Sequence, residues 1–383
     1  MSLLTLVPGR MGGSESYVRA LLEQFGRGNG PERVTVLANP QVAAAYAGDL
    51  RGPVSLHRVR GYRPGRRAPA RAAAMIAGLA LPGRVAREVP SGLDLLHFPV
   101  TVPIPQTSLP RVVTLHDIQH HDLPQFFSRS ERALRRLTYD AAARQASAVI
   151  TPSEYSARRI TDVLGIPPER VEAIHNGIDH ERFRPGPAAG DADMLAPLGL
   201  PRPFVLYPAN LWPHKNHGRL IEAFARVSEP DLELVLIGQT YGRLQGLRER
   251  AREVGAAARL RHLGYVERGA VPALYRAARA VVFPSLYEGF GGPPLEAMAC
   301  GCPVAASNRA ALAEVCGGAC VALDPESVES ILAAIDRVVR DESLRPQLEE
   351  AGLKRARGFS WEATAKRHAE VYRRAVVRSA GSG

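Results

Sequence analysis

At 383 residues the chain is too long for one ordinary hydrophobic core and suits two domains. Hydrophobic residues make up 45% and charged residues 23%, which excludes a disordered chain, and the longest apolar stretch, Ala72–Leu81, is far too short to span a bilayer. The formal net charge is +11, so the surface attracts phosphates, whether on nucleotides, lipids or nucleic acid; the arginine bias that produces it, with only three lysines (Lys215, Lys354 and Lys366), also fits a GC-rich coding sequence.

Leu3–Val7 is a short apolar run with no basic residue before it, so it reads as a first strand and not as a signal peptide, which implies a cytoplasmic protein. Gly12 and Gly13 follow, and from Ser14, a candidate cap, the pattern is helical with Tyr17, Val18, Leu21 and Leu22 on one face. Further strands are expected at Val34–Ala38, Val112–Leu115 and Ala148–Thr151, with Ser153 capping a helix that carries Tyr155, Ala157 and Ile160. Arg58, Arg60, Arg63, Arg66, Arg67 and Arg71 stand directly before the Ala72–Leu81 run; basic-then-apolar suits either an ordinary surface loop and helix or a segment lying on the inner face of a membrane. Arg184 to Asp193 is rich in Pro, Gly and Ala and reads as a connector, which puts the domain boundary near residues 178–200. The second half repeats the scheme with strands at Phe204–Tyr207, Leu232–Ile237, Ala280–Phe283 and Val304–Ala306, a helix over Trp361–Val377 and a disordered tail over Ser379–Gly383. Short aliphatic runs alternating with helical patterns predict two α/β domains with parallel sheets.

Cys300, Cys302, Cys316 and Cys320 lie within 21 residues but lack zinc-site spacing; the apolar setting of the first two suits small buried side chains in a reducing compartment. In open parallel sheets ligands sit beyond the carboxyl ends of strands. Four such junctions carry chemistry. In the longest, Glu288-Gly-Phe-Gly-Gly-Pro-Pro-Leu-Glu296, Gly289, Gly291 and Gly292 let backbone N–H groups approach a ligand, and Pro293 and Pro294 suit a helix's first turn. Glu288 and Glu296 can both border that pocket and accept hydrogen bonds from vicinal hydroxyls; taken singly, Glu296 serves equally well as a charge on the helix dipole and Glu288 as a solvated loop residue. Lys215, after Phe204–Tyr207, can neutralise a diphosphate leaving group or be a surface lysine. Gly12 and Gly13 form a second close-approach loop, and His116 ends a strand, where it can bond a sugar hydroxyl, act in acid–base chemistry or be purely structural.

The Glu-x7-Glu segment through Val304 resembles the donor-site motif of the GT4 family of retaining glycosyltransferases. Ile150–Ser156, Ile174–Asp179 and Leu263–Val266 match weaker family segments, so the resemblance covers about residues 3–375. It implies a GT-B fold: two Rossmann-like domains with a deep interdomain cleft, an acceptor-side domain over 1–177, a donor domain over 178–362 and a crossover helix with its tail over 363–383. It implies transfer of a hexose, of mannose or glucose type, from a nucleoside-diphosphate sugar to a hydroxyl. The acceptor would be a saccharide, a lipid-linked saccharide or a small molecule, in glycan or glycoconjugate biosynthesis. By the resemblance, Glu288, Lys215 and His116 are catalytic. Glu296 binds the ribose, Phe290 and Gly291 meet the sugar, and Gly12, Gly13, Gly292, Pro293, Leu295 and Gly238 complete the donor site, with the base at Tyr265 and Val266.

One departure stands out: the family often has an arginine five residues before the lysine, where this chain has Asn210. Either Asn210 donates a neutral hydrogen bond to the phosphates, or an arginine elsewhere supplies the charge. Asp191-Ala-Asp193 matches the metal motif of the other large glycosyltransferase fold, yet no strand precedes it; it reads as solvated linker, and no metal or other cofactor is expected. A sugar-nucleotide epimerase or phosphorylase on the same fold is the near alternative. A basic nucleic-acid-binding protein is the distant one, and it leaves the Glu-x7-Glu loop unexplained.

Overall fold

Aliphatic runs with no polar alternation form strands buried on both faces, as parallel sheets covered by helices require. The computed structural model describes residues 1–65, 67–200 and 203–380. Contacts divide it into two units, Met1–Gly177 with Trp361–Gly383, and Ile178–Ser360.

In the first unit β1 (Val34–Ala38) pairs with β2 (Val54–Arg58), and β3 (Leu96–Phe98), β4 (Arg111–Thr114), β5 (Ala148–Thr151) and β6 (Val171–Ala173) form a second parallel set. The expected strand over Leu3–Val7 is not formed. Pairing falls earlier: Leu3 donates to the Leu37 carbonyl, Leu37 to that of Met1, and Ser2 to that of His97, so residues 1–3 bridge the two sets. Beyond them the chain turns, because the buried Asn39 amide donates to the carbonyls of Leu4 (2.8 Å) and Leu6 (3.0 Å) and so takes the place of a ladder partner. The helix Gly13–Gly26 buries Tyr17, Val18, Leu21 and Leu22 as the pattern requires, but its cap position is Gly12, not Ser14. Ser153 does cap Glu154–Leu164, accepting from the Ser156 N–H at 3.1 Å. The Ala72–Leu81 run lies mostly in a helix, Ala68–Ala80, and leaves Ile76 and Leu81 exposed. Of the arginines before it, Arg66 lies outside the described residues.

The terminal helix, Trp361–Ala380, packs on this unit through a buried polar chain. Ser379 and Ala380, expected in a tail, belong to this helix, and 381–383 lie outside the described residues. Burial holds the His97 and His368 rings neutral, His368 being lowered to about 4. Neutrality fixes every proton. His368 Nδ1 must donate to the Thr364 carbonyl (2.7 Å), so its Nε2 accepts from Tyr17 Oη (2.7 Å). Tyr17 then accepts from Thr114 Oγ1 (3.0 Å), Thr114 from His97 Nε2 (2.8 Å), and His97 Nδ1 from Tyr372 Oη (2.7 Å). The chain starts and ends on the terminal helix and passes through β3, β4 and Gly13–Gly26 on the way.

In the second unit six parallel strands run in the order β12-β11-β10-β7-β8-β9. They are β7 (Phe204–Pro208), β8 (Glu233–Ile237), β9 (Leu260–His262), β10 (Ala280–Phe283), β11 (Val304–Ser307) and β12 (Val321–Leu323). The four strands expected here are present within a residue at each end. Cys300, Cys302 and Cys316 are buried and unbridged, as small core side chains.

The neutral histidines set a pH dependence. Unfolded His368 titrates near 6.5 and folded His368 near 4. Its contribution is complete above pH 6.5 and is lost as pH falls toward 4, because the unfolded chain takes up a proton that the folded one excludes. Hydrogen-exchange protection of the terminal helix should weaken by roughly 3 kcal/mol across that window. Protection that stays constant there would refute the neutral chain.

Candidate functional site

Strand order reverses beside β7: β8 and β9 lie on one side of it, β10, β11 and β12 on the other. The loops after β7 and β10 therefore diverge at the switch point of the sheet, where a parallel α/β sheet opens a crevice. Lys215 comes from the first loop and Glu288 from the second, and their side chains meet in an ion pair, Nζ to Oε1 at 2.5 Å, with only 16% and 14% of each exposed. Lys215 Nζ also lies 5.6 Å from the Phe283 ring centre, where the ring face favours a cation.

The two loops are fastened to each other. Leu286 donates to the His214 carbonyl at 2.8 Å, and the buried Tyr207 hydroxyl links the Lys215 carbonyl (2.6 Å) to Ser285 Oγ (3.1 Å). Asn216 adopts a left-handed conformation (φ 61°), and its buried amide donates to the carbonyls of Pro284 (3.1 Å) and Pro325 (2.6 Å). With that amide occupied, the helix His217–Ala225 starts without a side-chain cap, and so does Gly292–Ala299 after β10. Uncapped first turns present N–H groups and positive dipole ends suited to phosphate.

Glu296, half-buried on Gly292–Ala299, accepts from the Tyr275 hydroxyl at 3.0 Å. Burial raises its pKa, while Tyr275, Arg182 and Arg268 act in the opposite sense. Two glycines hold the loops to shape. Gly291 has φ 108°, and a Cβ there would sit 2.5 Å from Leu312 Cδ2; Gly238, at the end of β8 with φ 139°, would drive a Cβ to 2.6 Å from the Ala209 carbonyl oxygen.

Within the first unit His116 packs against the helix that the Gly12–Gly13 loop opens. The loop opens Gly13–Gly26, again without a side-chain cap, and a Cβ at either glycine would meet nothing within 4 Å. His116, after β4, packs edge-on against Tyr17 of that helix, ring centres 5.1 Å apart. Burial lowers its pKa, and its Nε2 donates to the Pro99 carbonyl at 3.1 Å, which leaves Nδ1 an acceptor. That suits holding a sugar hydroxyl better than donating a proton. His120 and His121 both bond the buried Asp140, and Asp122 pairs with Arg159.

Several expected contacts change character. The Phe290 ring packs edge-on to Phe359 in the core and Leu295 is fully buried, so only their backbone groups can reach a ligand. Val266 packs against the core, whereas Tyr265 is 65% exposed. Pro293 and Gly292 occupy the first turn of their helix as expected. Asn210 accepts from the Gln239 N–H at 2.8 Å, so its oxygen clips two loops together. Asp191 is not solvated linker: it starts a short helix, Asp191–Leu195, and forms a bidentate pair with Arg276, both largely buried. Tyr207, Tyr275, Arg182 and Arg268 carry no functional signal in the sequence, whereas Asn216, in the junction after β7 and directly before a helical pattern, has the local cue of a left-handed junction residue.

Two parallel-sheet units, the second of which carries a phosphate-suited crevice with a paired lysine and two carboxylates, fit a glycosyltransferase of the GT-B class. Residues 196–355 match the family described as Glycosyl transferases group 1, and residues 11–182 match Glycosyltransferase Family 4. Over 258 residues the chain is 33% identical to the O-antigen chain mannosyltransferase B of Escherichia coli, covering 66% of this chain and 67% of that protein. It is 32% identical over 271 residues to a D-inositol 3-phosphate glycosyltransferase of Salinispora tropica, covering 65% of this chain but only 55% of that one. Among solved structures it resembles Anabaena HepE in complex with UDP and glucose (TM-score 0.71, 22% identity, 94% of this chain and 96% of that chain). It likewise resembles the sucrose-phosphate synthase of Thermosynechococcus elongatus (TM-score 0.73, 23% identity, 96% and 94%). The chain belongs to glycosyltransferase family 4.

The two constrained glycines should differ in cost. Gly238→Ala meets rigid backbone and Gly291→Ala a movable leucine methyl, while both are strained by positive φ. Denaturant unfolding should show losses above about 1 kcal/mol for both, larger for Gly238→Ala. Equal or negligible losses would mean that these loops are not held as described.

Proposed function

We propose that the chain is a retaining, metal-independent hexosyltransferase that takes a mannose- or glucose-type sugar from a nucleoside diphosphate. The observation that carries this reading is the Lys215–Glu288 pair between two uncapped helix starts at the switch point. A diphosphate seated there draws Lys215 toward the leaving oxygens and releases Glu288 to face the sugar. As negative charge builds on the leaving phosphate, the lysine and the helix N–H groups stabilise it without rearranging. With no protein nucleophile, the leaving phosphate accepts the acceptor's proton on the face it departs from, so configuration is retained. Glu296 accepts from the ribose hydroxyls. Asn210 accepts from Gln239 through its oxygen and keeps its Nδ2 as a neutral donor, so the phosphate charge absent at position 210 falls to Arg182 and Arg268, the cations acting on Glu296.

The names of the Escherichia coli and Salinispora relatives favour saccharides or small polyols as acceptors. A lipid-linked acceptor is supported by Arg60, Arg63 and Arg84, which line a cavity of about 430 Å³ with Tyr62, Leu81 and Val85. Peripheral contact with the inner membrane face follows from that reading; no helix among the described residues is long and apolar enough to cross a membrane. Cosedimentation with phosphatidylglycerol vesicles, lost when the three arginines become alanine, tests it; equal sedimentation of both proteins would dismiss it.

Lys215→Ala and Glu288→Ala should each lower transfer and donor hydrolysis by about 10² to 10³ while the protein stays folded. A thermal-shift panel of UDP, GDP, TDP and their sugars should show one responsive nucleotide group. Activity that vanishes with EDTA and returns with Mn²⁺ would overturn metal independence, and an epimerised donor would overturn transfer. Because Glu296 must be ionised to accept from ribose, nucleotide affinity should decline as pH falls, starting above the range of an ordinary glutamate. Glu296→Gln should flatten that profile, and an unchanged profile in this variant would remove Glu296 from the ribose.

A further inference from the structure

Beside the donor loops stands an aromatic pair that the donor chemistry does not use. Trp212, three residues before Lys215 on the loop after β7, stacks on Tyr241 of the loop after β8, ring centres 4.4 Å apart and planes 27° from parallel. Stacked aromatics normally sit in cores, but here Trp212 is 40% exposed and Tyr241 51%. Tyr241 is held at φ 46°, a backbone conformation that residues with side chains seldom adopt. The loops that present the pair are locked: Leu211 donates to the Gln239 carbonyl at 2.9 Å, and Gln239 donates to Asn210 Oδ1 at 2.8 Å. Among the described residues neither the indole N–H nor the Tyr241 hydroxyl has a protein partner. A rigid, solvent-facing plate with unused polar tips is therefore built at the carboxyl ends of β7 and β8.

We propose that the Trp212–Tyr241 plate is the subsite on which a sugar ring of the acceptor saccharide stacks. This rests on the glycosyltransferase reading of the neighbouring loops. A pyranose presents one face of C–H groups, which packs on aromatic faces, and a rim of hydroxyls, which the indole N–H and the phenol can meet. The position fits an acceptor. In strand order the carboxylates Glu288 and Glu296 follow β10, Lys215 follows β7, and the plate extends from β7 to β8, on the far side of Lys215 from Glu296. On the proposed reading the transferred sugar lies at Lys215 and Glu288, and the plate flanks Lys215 on the side of the loop after β9 that carries Tyr265, so the titration must separate an acceptor ring from the base. Asn210 is a positioning residue here: its oxygen, which an arginine would not supply, fixes the loop that carries Tyr241.

The chain has two tryptophans, so Trp361→Phe leaves Trp212 as the sole reporter. With that variant, emission is titrated with methyl α-mannoside, methyl α-glucoside, mannobiose and maltose, each with and without saturating UDP or GDP. A saturable shift with at least one saccharide is expected. In the otherwise native chain, Trp212→Leu and Tyr241→Leu should each weaken that saccharide about tenfold, and Asn210→Ala should do the same through Tyr241. Nucleotide affinity, measured separately by calorimetry, should hold in Trp212→Leu and Tyr241→Leu. No response to any saccharide in a chain that still binds nucleotide overturns the plate and spares the donor site. A response to nucleotide alone, with weaker nucleotide binding in Trp212→Leu, assigns the plate to the base and also overturns the proposal. Absence of nucleotide binding in the native chain would overturn the donor reading instead.

Discussion

Three strand ends in the second unit are held by one amide. Asn216 takes a left-handed turn that asparagine tolerates better than most residues, and from there its Nδ2 reaches carbonyls after β10 and before the last helices, while its Oδ1 accepts from Arg219. Without it, the Pro284 and Pro325 carbonyls would be buried without donors, at about 1–3 kcal/mol each. Everything charged at the switch point depends on that fastening. Lys215 immediately precedes Asn216, and Glu288 lies four residues beyond Pro284, so both side chains inherit their positions from the same side chain's bonds. The amide is also why His217–Ala225 starts uncapped: a side chain spent on distant carbonyls cannot turn back to its own helix.

The two units solve opposite electrostatic problems. In the first, the polar groups beneath the terminal helix are neutral, and a single direction of hydrogen donation satisfies all of them, so nothing there invites a ligand. In the second, charges of opposite sign are left paired but poorly solvated at the ends of strands. An ion pair with about one-sixth of each side chain exposed lacks the water that would stabilise its ions, and the pair is correspondingly open to an incoming diphosphate. The contrast separates the scaffold beneath the terminal helix from the charged switch point of the second unit.

Much of the architecture was legible because buried parallel strands are continuous aliphatic runs, and seven of the eight expected strands occur where such runs stand. Leu3–Val7 failed although it is equally aliphatic, because Asn39, thirty-odd positions away, binds the carbonyls that a ladder would have used. The short β3, β6, β9 and β12 carry three residues each and have too little pattern to be seen. Site residues were legible where glycine, proline and charge cluster locally. Tyr275, Arg182 and Arg268 were not, since they approach Glu296 from separate segments and only folding gives their positions meaning. Asp191 misled for the same reason: a Pro- and Gly-rich stretch reads as solvated until Arg276 is brought to it.

The choice of lysine in a chain that otherwise prefers arginine has a geometric cause. Lys215 Nζ pairs with the Glu288 carboxylate and lies over the face of Phe283. A compact ammonium on a flexible stem can satisfy Glu288 and then pivot to a phosphate, whereas a planar guanidinium would seek a bidentate carboxylate and stay there. The substitution of the commonly found arginine by Asn210 follows similar logic. An arginine there has no acceptor for the Gln239 N–H, so the loop after β8 would lose the bond that sets its path beside β7. On the proposed reading the site has a fixed loop where a second cation is common, and the positive field that a diphosphate needs would fall to Lys215, to two helix starts and to cations from outside the sheet. Such an arrangement would bind a leaving group through many weak dipoles and one mobile charge, which would leave the lysine able to follow the negative charge as it develops.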